Sequence, residues 1–309
     1  MTPKILVICG PTASGKSVLA QRLACELDGE IVNADSMQVY RGMDIGTAKP
    51  SPRDRASAAH HLIDICDPDH NLSAAGFAAA ADAAIADITA RGRRVIVAGG
   101  TGLYIRALLQ GLVDSPSGAD SIRTELQREA REKGNQAMLE ELRTVDPESA
   151  ARMHPNNMVR IIRALEVHRL TGVPLSRHQN EHGFGQERYR AFKIAPRVAR
   201  NELYHRIEER VDQMIAAGLV EEVSRLLAAG YHRNLKAMRA IGYKEIASFL
   251  AGECNREQAV SLIKRDTRRY AKRQLTWFNG ERDILWVEYP EKFASILKHA
   301  HEFFDDREA

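Results

Sequence analysis

Gly10-Pro11-Thr12-Ala13-Ser14-Gly15-Lys16-Ser17 decides the reading of this chain. It fits G-x-x-x-x-G-K-[ST]. The short apolar run Ile5-Leu6-Val7-Ile8-Cys9 precedes it, and a helical pattern of Val18, Leu19, Arg22, Leu23 and Leu27 follows. Strand, tight loop and helix in that order make an anion cradle. The glycines let successive backbone N–H groups turn inward, the helix presents its positive end, and Lys16 adds a mobile charge. Ser17 offers a hydroxyl to a magnesium ion bridging two phosphates. The expected fold is α/β, a P-loop NTPase-like parallel sheet flanked by helices, holding a diphosphate or triphosphate. The loop alone does not say which one, or what happens to it.

Composition narrows the class. At 309 residues the chain is long enough for more than one domain, or for one domain with an insertion. A hydrophobic share of 44% and a charged share of 28% belong to ordinary globular proteins. The four cysteines (Cys9, Cys25, Cys66, Cys254) form no C-x-x-C pair, which argues against a zinc site or a disulfide framework and suits a reducing cytosol. No stretch reads as a signal peptide or approaches a membrane span. The net charge is only +3, but residues 1–118 carry 11 Lys and Arg against 12 Asp and Glu, so the basic excess lies beyond them.

Outward from the loop, Glu30-Ile31-Val32-Asn33 reads as a second strand that delivers Asp35 to the rim where open α/β sheets collect ligands. The long Gly- and Pro-containing loop Arg41–Pro50 follows, and such loops at a strand's carboxyl end are more often functional than idle. His61–Ile65 reads as a third strand, Ala74–Arg91 as a helix and Arg94–Ala98 as a fourth strand. That strand ends in Gly99-Gly100-Thr101-Gly102, where glycines permit close approach and Thr101 either donates a hydrogen bond or caps the next helix. A standard NTPase often puts a magnesium-binding Asp at the end of such a strand. Glycine stands here instead, which lowers the expectation of ATP hydrolysis, with Asp64 as a substitute ligand.

From about Ser115 the texture changes. Ser115-Pro116-Ser117-Gly118 reads as a linker, helical patterns run to about Leu175, and Arg190–Ala195 reads as a strand returning to the sheet. Residues 118–187 are therefore expected to be a helical insertion between the halves 1–117 and 188–309 of one α/β core. Arg206 and Arg210 lie one helical turn apart, either as a solvated face or as a second clamp on the phosphates. Lys264, Arg268 and Lys272 form one helical row, and Arg265, Arg269 and Arg273 form a second. Paired rows of that density resemble a phosphate-backbone footprint.

A diphosphate cradle, a carboxylate and hydroxyl on its rim, and a basic surface suit a reaction in which diphosphate leaves and a polynucleotide accepts. Six blocks resemble the signatures of the bacterial tRNA dimethylallyltransferases, in that family's order: Gly10–Ser17, Asp35–Pro50, Gly99–Tyr104, Arg160–Glu166, Arg239–Lys244 and Lys272–Trp277. Of these, Asp35–Pro50 is highly specific. The resemblance implies transfer of a dimethylallyl group from dimethylallyl diphosphate to N6 of the adenosine 3′-adjacent to the anticodon, position 37, with Mg²⁺. It implies Asp35 as general base, Thr101 as hydrogen-bond partner of the bridging oxygen, and Lys16, Ser17 with the metal, and Arg210 as neutralisers of pyrophosphate. The donor would lie on Gly10, Pro11, Thr12, Ala13, Ser14, Gly15, Lys16 and Ser17 with Arg206 and Arg210.

The adenosine must leave its stack. The resemblance gives the tRNA anticodon stem-loop contacts to Asp35, Ser36, Met37, Gln38, Thr101 and Arg123. It adds Val159, Arg160, Ile161, Ile162 and Arg163, then Arg239, Gly242, Tyr243 and Lys244, and last Arg273, Gln274 and Trp277. Asn157 departs from the family's usual Asp, in the turn before Arg160; Ala59 and Gly76 depart from the usual Pro and from an often acidic position. A cytoplasmic monomer is expected. The rival readings are a small-molecule or nucleoside kinase that binds ATP on the same loop, and a non-catalytic nucleotide-gated RNA binder. Neither accounts for the whole set: the kinase leaves the basic rows unexplained, and the binder leaves Asp35 and Thr101 idle.

Overall fold

The computed structural model describes residues 2–112, 120–182, 188–281 and 283–306. The linker expected at Ser115–Gly118 lies outside the described residues.

The chain opens with β1 (Lys4–Cys9), α1 (Lys16–Glu26), β2 (Gly29–Asn33), α2 (Pro52–Ser57), β3 (His60–His61), α3 (Ala74–Ala90), β4 (Arg94–Gly99) and α4 (Gly102–Gln110). After the helical segment come β5 (Arg190–Pro196) and, further on, β6 (Ile284–Val287). The six strands form one parallel sheet in the order β3-β2-β4-β1-β5-β6. Central parallel strands are covered on both faces, which is why they read as nearly unbroken apolar runs. Alternation sorts them: Ile5, Val7 and Cys9 join a core with Phe77, Ile85 and Leu108. Leu6 and Ile8 point the other way, onto Leu19 and Leu23.

The third strand is shorter than expected. It stops at His61, because Leu62 and Asp64 take φ of 62° and 57°, which no strand accommodates. Tyr40 and Cys66 then pair only as an isolated parallel bridge.

The chain divides into two compact units, 1–109 with 187–309, and 110–186; the expected insertion was 118–187. The elements of the second unit among the described residues are helices: α5 (Asp120–Lys133), α6 (Asn135–Val145), α7 (Pro147–Ala151), α8 (Met158–Thr171) and α9 (Leu175–His182). Leu126, Met138, Leu142, Ile161 and Leu165 fill its core. In the first unit, α10 (Arg200–Ala216), α11 (Leu219–Ala228), α12 (Tyr243–Leu250) and the long α13 (Arg256–Asn279) build a third cluster on Val39, Tyr40 and Met43, and α14 (Phe293–Asp305) packs beside α1. Among the described residues, no helix is long and apolar enough to cross a membrane.

Candidate active site

Strand register brings the first parts of the site together. Cys9 of β1 lies opposite Gly99 of β4, and Asn33 of β2 lies opposite Ala98 of β4. The three segments that follow, carrying Lys16, Asp35 and Thr101, therefore leave one edge of the sheet within a residue or two of each other. Ala34 ties two of them: its carbonyl accepts Thr101 N–H at 3.2 Å. Thr101 Oγ1 in turn accepts Ser36 N–H at 3.0 Å, and Asp35 Oδ1 accepts Met37 N–H at 2.9 Å.

Lys16, Asp35, Ser36 and Met37 border a cavity of about 350 Å³, lined also by Thr12, Ser17, Arg210 and Tyr270, whereas Thr101 stands behind Ser36 and does not line it. Four cationic residues line it, Lys16, Arg210, Arg239 and Arg273, and the first two are the buried ones. Burial, with the charge of Arg210 second, pushes the Lys16 amine down to about 8, and Asp35 opposes that shift. Burial likewise lowers Arg210, again against Asp35. Lys16 Nζ donates to Pro11 O at 3.3 Å, and Arg210 Nη1 to Thr12 Oγ1 at 3.4 Å, so both charges rest on weak protein contacts. The buried Ser14 hydroxyl has no hydrogen-bond partner among the described residues. A cradle with underused cations and an orphaned hydroxyl is arranged for an anion.

Arg206 is not part of that cradle. It does not line the cavity, and its Nε donates to Glu202 Oε1 at 2.7 Å, one turn back on α10. The solvated-face alternative describes Arg206, and the clamp alternative describes Arg210. Asp64, the substitute metal ligand, is engaged elsewhere, by Lys49 at 2.5 Å and Arg55 at 2.9 Å. Among the described residues no group of three or more His, Cys, Asp or Glu could hold a metal.

The Asp35–Pro50 block is shaped from beneath by Glu222, which carried no sequence signal of its own, and from within by Lys49 and Gln38. The buried Glu222 carboxylate accepts N–H bonds from Asp44, Ile45 and Gly46 at 2.8–3.1 Å and the Tyr243 phenol at 2.6 Å. Lys49, with only 2% of its side chain exposed, ties Tyr40 O and Asp44. Gln38 spends its amide on Thr47 O and Ala48 O.

Helix α13 closes the cavity with Tyr270, Arg273 and Gln274. Tyr270 has its phenol raised by burial and then by Asp35. Arg273 stacks over the Tyr270 ring, 5.7 Å from its centroid. The two basic rows are partly neutralised inside the protein: Lys264 pairs with Asp212, Arg268 with Glu208, and Arg265 and Arg269 with Asp266. The footprint is thus narrower than the sequence suggests.

The expected tRNA contacts separate into exposed and buried groups. Arg239, Gly242, Ser36, Met37 and Gln38 border the cavity. Lys244 is half exposed and pairs with Glu245 and Asp266. Tyr243 is wholly buried, and Gln274 is 6% exposed with both ends of its amide occupied. Trp277 packs into the core against Gly102, where a Cβ would come within 2.2 Å of its ring, and carries Arg106 on its face at 4.3 Å. In the helical unit, Val159 is 83% exposed and Arg160 is exposed, while Ile161 and Ile162 belong to the core. Arg123 and Arg163 both pair with the buried Glu166. In α8 and α13 the cause is helical periodicity: along a contiguous block only every third or fourth residue faces the same way. Asn157, the departure from the family pattern, stands at the start of α8 without a side-chain cap.

The profile of the IPP transferase family matches residues 38–281. The chain is 65% identical over 303 residues to tRNA dimethylallyltransferase 1 of Pelobacter propionicus, covering 98% of each chain. Among solved structures it is 39% identical to the tRNA isopentenylpyrophosphate transferase of Bacillus halodurans, with a TM-score of 0.72 and coverage of 98% and 97%. A eukaryotic dimethylallyltransferase solved acting on tRNA superposes with a TM-score of 0.81 at 27% identity, over 99% of this chain and 80% of that one.

Proposed function

The chain belongs to the IPP transferase family and prenylates tRNA; on that premise we propose dimethylallyl diphosphate as donor and N6 of the adenosine 3′ of the anticodon, position 37, as acceptor. The observation that carries this reading is the convergence of Lys16, Arg210 and Asp35 on one cavity that also has an apolar wall of Ile207, Val211, Met214 and Ile263. Cations suit a diphosphate, the apolar wall suits a five-carbon allylic group, and the lone carboxylate suits a proton acceptor. The kinase reading falls with family membership.

In the proposed step the adenosine N6 forms a bond to C1 of the dimethylallyl group, the C1–O bond breaks, and diphosphate leaves with the electron pair. The exocyclic amine is a weak nucleophile because its lone pair is delocalised into the purine. Asp35 takes the N6 proton; the Met37 N–H holds its Oδ1 and orients the other oxygen for this task. Charge grows on the leaving oxygen as the allylic carbon departs, and Lys16 and Arg210 lie in the cavity to receive it. Thr101, tied to Ser36 beside Asp35, is the proposed donor to the bridging oxygen.

Magnesium fits this cradle. Ser17 presents its hydroxyl at the exposed first turn of α1, and an ion that keeps waters and takes phosphate oxygens needs few protein ligands. Held by Ser17 and the donor's own oxygens, it would draw charge from the leaving diphosphate. The proposed setting is the cytoplasm, where tRNA is.

The test is incubation with Mg²⁺, labelled dimethylallyl diphosphate and unmodified tRNA with adenosine beside the anticodon. Label recovered as N6-substituted adenosine is the expected outcome, and Asp35→Asn should lower kcat by about 10²–10⁴-fold with tRNA affinity retained. Absence of transfer, or equal loss of tRNA affinity in the variant, overturns the reading.

A further inference from the structure

We propose that Gln274 is a positioning residue for the donor diphosphate and not a contact to tRNA. Its Oε1 accepts Thr12 N–H at 2.8 Å, and its Nε2 donates to Gly100 O at 2.9 Å. The partners fix the amide's orientation, since an N–H can only donate and a carbonyl can only accept. Both partners are backbone, so they do not depend on other side chains.

They also belong to the two loops on which the chemistry depends. Thr12 lies in the anion cradle, and its hydroxyl meets Arg210. Gly100 immediately precedes Thr101. One planar amide thus sets the spacing between the loop of Lys16 and the turn of Thr101. The fit is close: a Cβ on Gly100 would lie 2.3 Å from Gln274 Nε2, so the turn must be glycine where the amide lands. The amide supplies an acceptor and a donor on one plane at the end of a stem long enough to reach both loops. Methionine would fill the space with neither, and glutamate would set a second acceptor against the Gly100 carbonyl.

On α13 Gln274 is turned inward, whereas Lys272, Arg273 and Thr276 are exposed. The helix therefore reaches tRNA-facing ground with one side and the donor loops with the other, and Gln274 belongs to the second side.

The proposal rests on the donor occupying the cradle. It is tested in the full chain with Gln274→Met and Gln274→Glu, reading affinity for inorganic pyrophosphate with Mg²⁺, KM for dimethylallyl diphosphate, and affinity for tRNA. Gln274→Met should weaken pyrophosphate binding and raise donor KM by about tenfold or more, with tRNA affinity unchanged. Gln274→Glu should show the same loss near neutral pH and recover part of it, relative to wild type, as the pH falls, because the protonated acid can donate to Gly100 O. A fall in tRNA affinity with unchanged donor KM overturns the proposal, as does wild-type pyrophosphate affinity in Gln274→Met. If Gln274→Met does not fold, a flat ratio of Gln274→Glu to wild type across pH overturns it. Wild type that binds no pyrophosphate defeats the donor reading together with this one, whereas wild type that binds it as well as both variants do defeats this one alone.

Discussion

The phenol of Tyr243 donates a 2.6 Å hydrogen bond to Glu222, and both residues are buried, at 0% and 2% exposure. Burial raises the phenol, and the charge and hydrogen bond of Glu222 raise it further, so it stays a donor. Directly above, Gly46 approaches the Tyr243 ring so closely that a Cβ would fall 2.5 Å from it. The pair forms a floor under the loop that leads from Asp35 and Gln38 to Pro50.

Glu222→Ala should therefore destabilise the fold by about 3 kcal/mol or more, since it strands three backbone N–H groups and a phenol. Tyr243→Phe should cost about 1 kcal/mol, because Glu222 keeps its other donors. Urea unfolding of the two variants checks the order, and equal losses would contradict the floor.

Lys16 carries a pH dependence. An anion in the cradle favours the ammonium form, while the free protein holds the amine down at about 8. Pyrophosphate binding should therefore take up a proton above that value and weaken as pH rises through it; Lys16→Met should lack this component. Folding runs the opposite way. Between about 8 and the ordinary 10.5 the unfolded chain binds more protons, so ligand-free wild type should gain stability on Lys16→Met as pH rises through that window. Calorimetry in two buffers of different ionisation enthalpy measures the uptake, and pH-dependent melts measure the rest.

Arg206 and Arg210, one turn apart, should behave as opposites. Arg210→Ala removes a cation from the cavity and should lower kcat by about 10²-fold or more. Arg206→Ala breaks only an exposed pair with Glu202 and should change stability by no more than about 0.5 kcal/mol, with turnover retained. Steady-state kinetics on the two variants decide it.

In the helical unit, Val159 and Ile161 should separate in the same way. Ile161→Ala opens a cavity among Leu126, Met138 and Leu165 and should cost about 2–5 kcal/mol. Val159→Ser, at an exposed position, should leave the melt unchanged and weaken tRNA binding. Thermal unfolding beside tRNA titration separates the roles.

The loop of Lys16 was legible because everything that makes it is local: eight consecutive residues that join a strand to the first turn of a helix. Asp35 and Thr101 were legible for a related reason, since parallel strands deliver their carboxyl ends to one rim. The short third strand was misread because its apolar pattern does not reveal left-handed backbone at Leu62 and Asp64. The tRNA blocks include buried residues such as Tyr243 and Ile161, because a block gives the order of residues but not which way each one faces.

By itself, the sequence determined the parallel α/β core, the glycine-rich strand–loop–helix at Gly10–Ser17 and the family, since all three are written in motifs and periodicity over short stretches. Tertiary structure decided which of those residues meet: Gln274 with Thr12 across 262 positions, Glu222 with Asp44 across 178, and Arg210 in the cavity with Arg206 outside it. Those pairings depend on how α10, α11 and α13 rotate as their apolar faces pack, and a rotation set by packing has no local signature to read.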